Sequence, residues 1–513
     1  MTQRSAGVRL FSWRAVIGLL LALGLSVSLV QAAPSGTAVG DDVVGPKLPL
    51  NDLEALLALT GSQLAQQLTP VMVPAPPLQP VPRATCGPGS RPLAGMQGRV
   101  TKADIALPAA RRGWTCNLHE VSRLKTPGGF RTWRYTDAAG HTCAFYDTSF
   151  TGPANILSLL AGPTLGVKVV DMTHPAHPRV TKTLVSPGML APHESLNLNM
   201  RRGLLGAEVG NGLTLPGTMD LYDVRHDCRH PVRLSITPIA TGHESGFSPD
   251  GRTFWVAGGA GYIYAFDVTN PRKPHELWRG GYYSHGLNLS ADGRTLYQTD
   301  PINGNLGILD VSQIQDRVPN PKVTEISRST WNTVSIPQNT IPFTRNGHRF
   351  LIEFDEFAFR FNPFTVADHA GAARIFGIDD PAHPRIVANL RMTVNMKANH
   401  KLASNDPTPL PPNQILGNAF HYCGIPRQLN PTIVACSTIN SGLRIFDIRH
   451  PRHPREIGYF IAPPKLGRPL GLLPGNVAMS QPAFDAKRRQ VYYTDAGSGF
   501  YVLQLNRRSW PRR

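Results

Sequence analysis

The sequence predicts an all-β fold, a seven-bladed β-propeller closed by an N-terminal strand, and three observations predict it. The first is composition: 513 residues carry 48 glycines and 47 prolines but only 17% charged side chains. Glycine and proline are poor in helix interiors and common in turns, so many short strands are favoured over a helical bundle. The second is a repeat in which an alternating apolar strand ends in aspartate and runs into a proline-bounded turn. It reads VKVVDMTHPAHPRVTKTL at 167–184, MDLYDVRHDCRHPVRLSI at 219–236 and YIYAFDVTNPRKPHELW from Tyr262. It returns as GILDVSQIQDRVPNPKVTEI from Gly307, ARIFGIDDPAHPRIVANL from Ala373 and LRIFDIRHPRHPREIGYF from Leu443. The third is its period: Asp171, Asp223, Asp267, Asp310, Asp379 and Asp447 lie 52, 44, 43, 69 and 68 residues apart. A spacing in the forties with longer insertions matches a four-stranded propeller blade.

The strand pair ahead of each turn repeats as well. HESGFSPDGRTFWVAG from His243 and HGLNLSADGRTLYQTD from His285 are hairpins turning at Asp-Gly. The segments from His193, Gln338, His421 and Ser480 fit the same frame, so each unit has strands A to D from the axis outward. The last unit, ending in SGFYVLQL at 498–505, lacks a fourth strand, whereas CNLHEVSRL at 116–124 is a strand without a blade. Pairing the two closes the ring and leaves no open sheet interface.

Ahead of the ring, Arg4, Arg9 and Arg14 precede an apolar run from Ala15 to Val30 and then Gln31-Ala32-Ala33-Pro34. That is the pattern of a secretory signal peptide over residues 1–33, which places the protein in the periplasm or outside the cell. No later segment is long and apolar enough to span a membrane. Residues 34–85 read as an extension outside the ring. Asp52 caps a short amphipathic stretch to Leu68, followed by the stiff proline-rich run PVMVPAPPLQPVPRA at 70–84, and the propeller occupies 86–513. This extension is expected to be loosely tethered.

The six cysteines, Cys86, Cys116, Cys143, Cys228, Cys423 and Cys436, include no CxxC pair. An even number in an exported chain implies three disulfides. Cys423 and Cys436 flank a turn and are expected to face each other across a hairpin; Cys116 with Cys143, and Cys86 with Cys228, complete the set. The formal net charge of +18 is carried largely by arginines of the turns. No basic stripe is interleaved with aromatics, so nucleic acid is not an expected partner.

The recurring apolar-apolar-Asp-Val-x-x-Pro-x-x-Pro turn resembles that of the LVIVD-repeat family of exported bacterial β-propellers. The resemblance covers about Cys86 to Ser509. It implies a propeller exported to the envelope or medium, and it transfers architecture without a reaction.

Chemistry is concentrated at the start of the A strands. His193, His243, His285 and His421 occupy matching positions, with Thr132, Gln338 and Ser480 at the corresponding places in the other units. Four imidazoles converging on the axis suit iron, copper or zinc, and Glu194 and Glu244 are placed to orient the rings. The ring is similar in outline to the four axial histidines of carotenoid oxygenases, and to the selenium-binding-protein propellers with methanethiol oxidase activity. The alternative is that histidine belongs to the repeat and bonds neighbouring blades.

Other motifs are weaker. The histidines of HPAHP (His174, His177) and HPRHP (His450, His453) fall on solvated turns. HES at His193 and His243 lacks the second histidine of a zinc protease, since Asn197 and Phe247 stand there. Glu353, Asp355 and Glu356 form the densest acidic group, read either as a hard-cation site or as partners for arginines. Three functions are consistent with these residues. One is an exported binding or scaffold module taking a protein, glycan or small molecule at the propeller mouth, where the insertions 151–166, 357–372 and 393–418 gather. The second is a metal-dependent oxidoreductase or lyase using the histidine ring. The third is a structural protein tethered to the envelope by its extension.

Overall fold

A computed structural model describes residues 67–148, 165–209, 217–239, 242–259, 261–360, 365–366, 370–404, 406, 417–464 and 476–511. The signal segment, the amphipathic stretch up to residue 66 and most of the three long insertions lie outside the described residues. The rest forms seven antiparallel blades around one axis. Their innermost strands are Thr132–Thr136, Asn197–Asn199, Glu244–Phe247, Leu287–Leu289, Pro337–Arg345, Tyr422–Gly424 and Ala483–Asp485. Closure follows the expected route: Leu118–Leu124 pairs antiparallel with Gly499–Leu505 and completes the seventh blade.

The repeated aspartate acts locally. Its carboxylate accepts the N–H two residues on, from Thr173 to Asp171 (2.9 Å), Thr269 to Asp267 (2.6 Å) and Arg449 to Asp447 (3.0 Å). This Asx turn supplies a partner for a backbone donor as the strand stops. Blade five is different. Its third strand ends at Gly377, so Asp379 is not the equivalent residue and instead accepts the Arg349 N–H.

The chain before the ring is bound to it. Val71–Met72 pairs in parallel with the outer strand of blade four, and Trp114–Cys116 adds a fifth strand to blade six. Between them Val81 N donates to the Arg391 carbonyl and Glu456 N to that of Pro82. The proline-rich run is thus a strap over blades four to six, not a loose tether, because Val73 and Val81 are buried and two sheet edges gain partners.

Three disulfides are present, two of them paired otherwise than expected. Cys423–Cys436 spans directly opposed residues of one hairpin. Cys86 joins Cys116, since both lie on the strap over blade six, and Cys143 joins Cys228, tying blade one to the outer turn of blade two. Cys116 and Cys143 belong to different blades, which excludes the pairing read from their spacing. Among the described residues no helix is long and apolar enough to cross a membrane.

Candidate metal centre

The four histidines meet on the axis. All are buried, from 0% exposure for His421 to 7% for His243. Each stands at or just ahead of an innermost strand, and neighbouring inner strands touch directly, as the bridge between Glu194 and Glu244 shows. Two glycines make room: a Cβ on Gly258 would lie 2.3 Å from that of His243, and one on Gly286 would lie 2.7 Å from the Glu244 carboxylate. His193 has left-handed backbone (φ 50°), a conformation few side chains adopt without surrounding structure to hold it.

His243 Nε2 lies 3.1 Å from His285 Nε2 and 3.1 Å from Glu194 Oε2, which is itself 3.7 Å from His285 Nε2. Glu356 Oε2 is 2.9 Å from His285 Nε2. His421 Nε2 lies 3.4 Å from both Glu194 Oε1 and Glu356 Oε1. Metal–nitrogen bonds of about 2.1 Å set donors about 3.0 Å apart in an octahedron and about 3.4 Å in a tetrahedron. Except for the 3.7 Å contact, the observed spacings are close to those of coordination-polyhedron edges.

The outer nitrogens fix the tautomers. His421 Nδ1 donates to the Met479 carbonyl at 3.0 Å, and its Nε2 faces two carboxylates. His285 Nδ1 donates to Glu244 Oε1 at 3.0 Å, while Arg131 and Asn339 donate to the other oxygen of Glu244. Glu244 therefore orients a ring. Glu194 does not: its carboxylate sits among the imidazoles, held by Gln338 Nε2 at 3.0 Å. Within the described residues His193 Nε2 and His421 Nε2 are buried without a hydrogen-bond partner.

The electrostatics follow from this crowding. Burial disfavours charge on His285, but Glu356, Glu194 and Glu244 outweigh it and hold the imidazole well above its ordinary value. His193, with less compensation, is pushed down to about 3 by burial. Burial also works against ionised Glu194, yet His285 and His243 keep it well below the carboxylate range.

Of the other equivalent positions, Gln338 reaches the cluster through Glu194, whereas Ser480 bonds within its own blade to Thr494. Arg131 was not singled out by sequence, and Glu356 was read only as one of an acidic group. Arg131 is buried, stacks 4.4 Å over Tyr422 and bridges Glu244 to Gln481, forming a polar floor under the histidines. A cavity of about 200 Å³ is lined by Trp133, Asn288, Ile341 and Phe484 of the inner strands, with Gln481 also in its wall.

Glu356 stands just past the end of the strand His348–Asp355 that carries the other two acids. Glu353 and Asp355 lie on one face and both pair with buried Arg374, the latter at 2.7 Å, so they are arginine partners and not a cation site. Glu356 turns the opposite way, to the axis. The turn histidines His174, His177, His450 and His453 are exposed.

No family model matches the chain, and no curated protein matches it. Among solved structures it is similar to the Myceliophteria thermophila Cps50 (Swd1) β-propeller domain, with 12% identity, 75% of this chain and 99% of that one covered and a TM-score of 0.47. It is also similar to Kuenenia stuttgartiensis hydrazine synthase (12% identity, 74% and 96% covered, TM-score 0.45). A functionally unknown protein from Desulfotomaculum acetoxidans follows at 13% identity, 64% and 86% coverage and a TM-score of 0.41. At such distances these likenesses say nothing about a reaction. The chain is a seven-bladed β-propeller with an axial histidine–glutamate cluster.

Proposed function

We propose that the protein is an exported metalloprotein whose propeller holds a divalent transition ion on its axis through the histidine ring with Glu194 and Glu356. The observation that carries this reading is the convergence at His421: its Nδ1 is committed to a carbonyl, and its Nε2 faces two carboxylate oxygens at 3.4 Å. Imidazole nitrogen and carboxylate oxygens brought this close in a buried site are a ready ligand set for a cation, which would satisfy all three at once. The donor set is imidazole and carboxylate; every cysteine is in a disulfide, so thiolate is excluded. Such donors suit iron, manganese, copper or zinc. Redox or Lewis-acid chemistry of an oxidoreductase or lyase is the reaction class that a buried ion of this kind supports.

The signal pattern and the LVIVD-like turn support an exported setting, and three disulfides accord with an oxidising compartment. The test is elemental analysis of the mature chain purified without a histidine tag. Near-stoichiometric metal, lost in His285→Ala/His421→Ala with the fold intact, is expected. A metal-free wild type that gains no ion on reconstitution would return the ring to repeat architecture and leave the binding-module reading.

A further inference from the structure

We propose that the axial cluster is built for two divalent ions bridged by Glu194 and Glu356. This rests on the metal-binding reading above and goes beyond it in the number of ions and the role of each carboxylate.

The two glutamates do the same thing from different blades. Glu194 turns Oε2 toward His243 and His285, at 3.1 and 3.7 Å, and Oε1 toward His421 at 3.4 Å. Glu356 turns Oε2 toward His285 at 2.9 Å and Oε1 toward His421 at 3.4 Å. Each carboxylate therefore offers one oxygen to the His243–His285 side and the other to the His421 side. A single ion would draw one oxygen, or a chelating pair, toward one point. Two ions about 3.5–4 Å apart are what a carboxylate bridges with one oxygen each.

The first ion would take His243, His285 and one oxygen from each glutamate. His193, whose ligand atom lies within 4.8 Å of those of Glu194 and His243, stands beside it. The second ion would take His421 and the other two oxygens. Unpartnered buried atoms occur on both sides: His193 Nε2 on one, His421 Nε2 on the other. Three buried carboxylates, Glu194, Glu244 and Glu356, stand against the single guanidinium of Arg131. One divalent ion balances that charge, so the second brings two negative charges of its own, as two hydroxides or one dianionic oxygen ligand would supply. The site then accepts small oxygen-donor ligands between the ions.

The experiment is equilibrium loading of the mature chain with Mn(II), reading ions per chain and the electron paramagnetic resonance spectrum. Two ions per chain with an exchange-coupled spectrum are expected. In Glu356→Gln, which keeps the side chain's size, loading should fall to one ion and the coupling should vanish, with the thermal melt checking that the variant is folded. Saturation of wild type at one ion with an uncoupled spectrum would overturn the pair and leave the metal-binding reading standing. No bound ion would overturn both. Two coupled ions in folded Glu356→Gln would remove the bridging role from Glu356.

Discussion

Glu353, Asp355 and Glu356 are nearly consecutive and equally buried, yet they serve two differently constructed sites. Glu353 and Asp355 are neutralised by Arg374, whose guanidinium is charged at any physiological pH and rests 4.7 Å over Trp331. Burial pushes Glu353 up strongly, and Arg374 provides the main opposing pull. That site carries its own fixed cation. Glu356 faces imidazoles, whose charge is conditional, and shares its space with a second carboxylate. A fixed cation closes a buried acidic site, whereas a set of neutral donors around carboxylates leaves room for a mobile one.

The sharpest way to break this contrast is to remove the fixed cation. Arg374→Met should cost about 3–5 kcal/mol, because two buried carboxylates lose their partner. Urea denaturation reads the loss, and a cost under about 1 kcal/mol would mean that the acids are neutralised otherwise. Next in size is the conditional site: metal at a hundredfold excess over Kd should raise wild-type stability by about 2.7 kcal/mol. The same ion should leave the melting curve of Glu194→Gln/His421→Ala unmoved, while Arg374→Met still responds.

A third test concerns Asp147, a buried acid held by backbone N–H groups with no cationic side chain among the described residues hydrogen-bonded to it. Burial pushes Asp147 up to about 7 from 3.8, against the pull of the Arg131 and Phe130 N–H groups. The folded state therefore holds a proton that the unfolded chain releases, so stability should fall as pH rises from 3.8 to about 7 and then level off. Asp147→Asn should flatten that part of the profile; an unchanged slope would assign it to other groups. The smallest expected effect lies on the outer turns, where Asp171→Ala should cost about 1 kcal/mol for one lost hydrogen bond. Blade five, with Gly377 at the equivalent position, already lacks that bond.

The ring and its closure were legible because a repeat exposes both its period and its missing strand. The histidines were legible for the same reason, since matching positions in a propeller share a radius. Glu194 was found but given Glu244's role, because adjacency in sequence does not say on which side of an imidazole a carboxylate falls. Glu356 was hidden inside an acidic run, because the sequence does not say that the strand stops at Asp355 and that the next residue leaves its face. Arg131 carried no repeat signal, because its blade has threonine where others have histidine. The disulfides Cys86–Cys116 and Cys143–Cys228 depend on how the strap and the outer turns pack, which spacing does not encode.

The closing strand has a consequence for how the molecule assembles. Arg123 and Tyr501 meet across 378 positions of chain, so the last interface forms between segments that must find each other over nearly the whole polypeptide. Contacts of such high order make folding slow. The axial donors come from blades two to six, and none lies in the blade that performs the closure. A cation bound there would gather five blades before the ring is sealed, serving as a template that narrows the search left to Leu118–Leu124 and Gly499–Leu505.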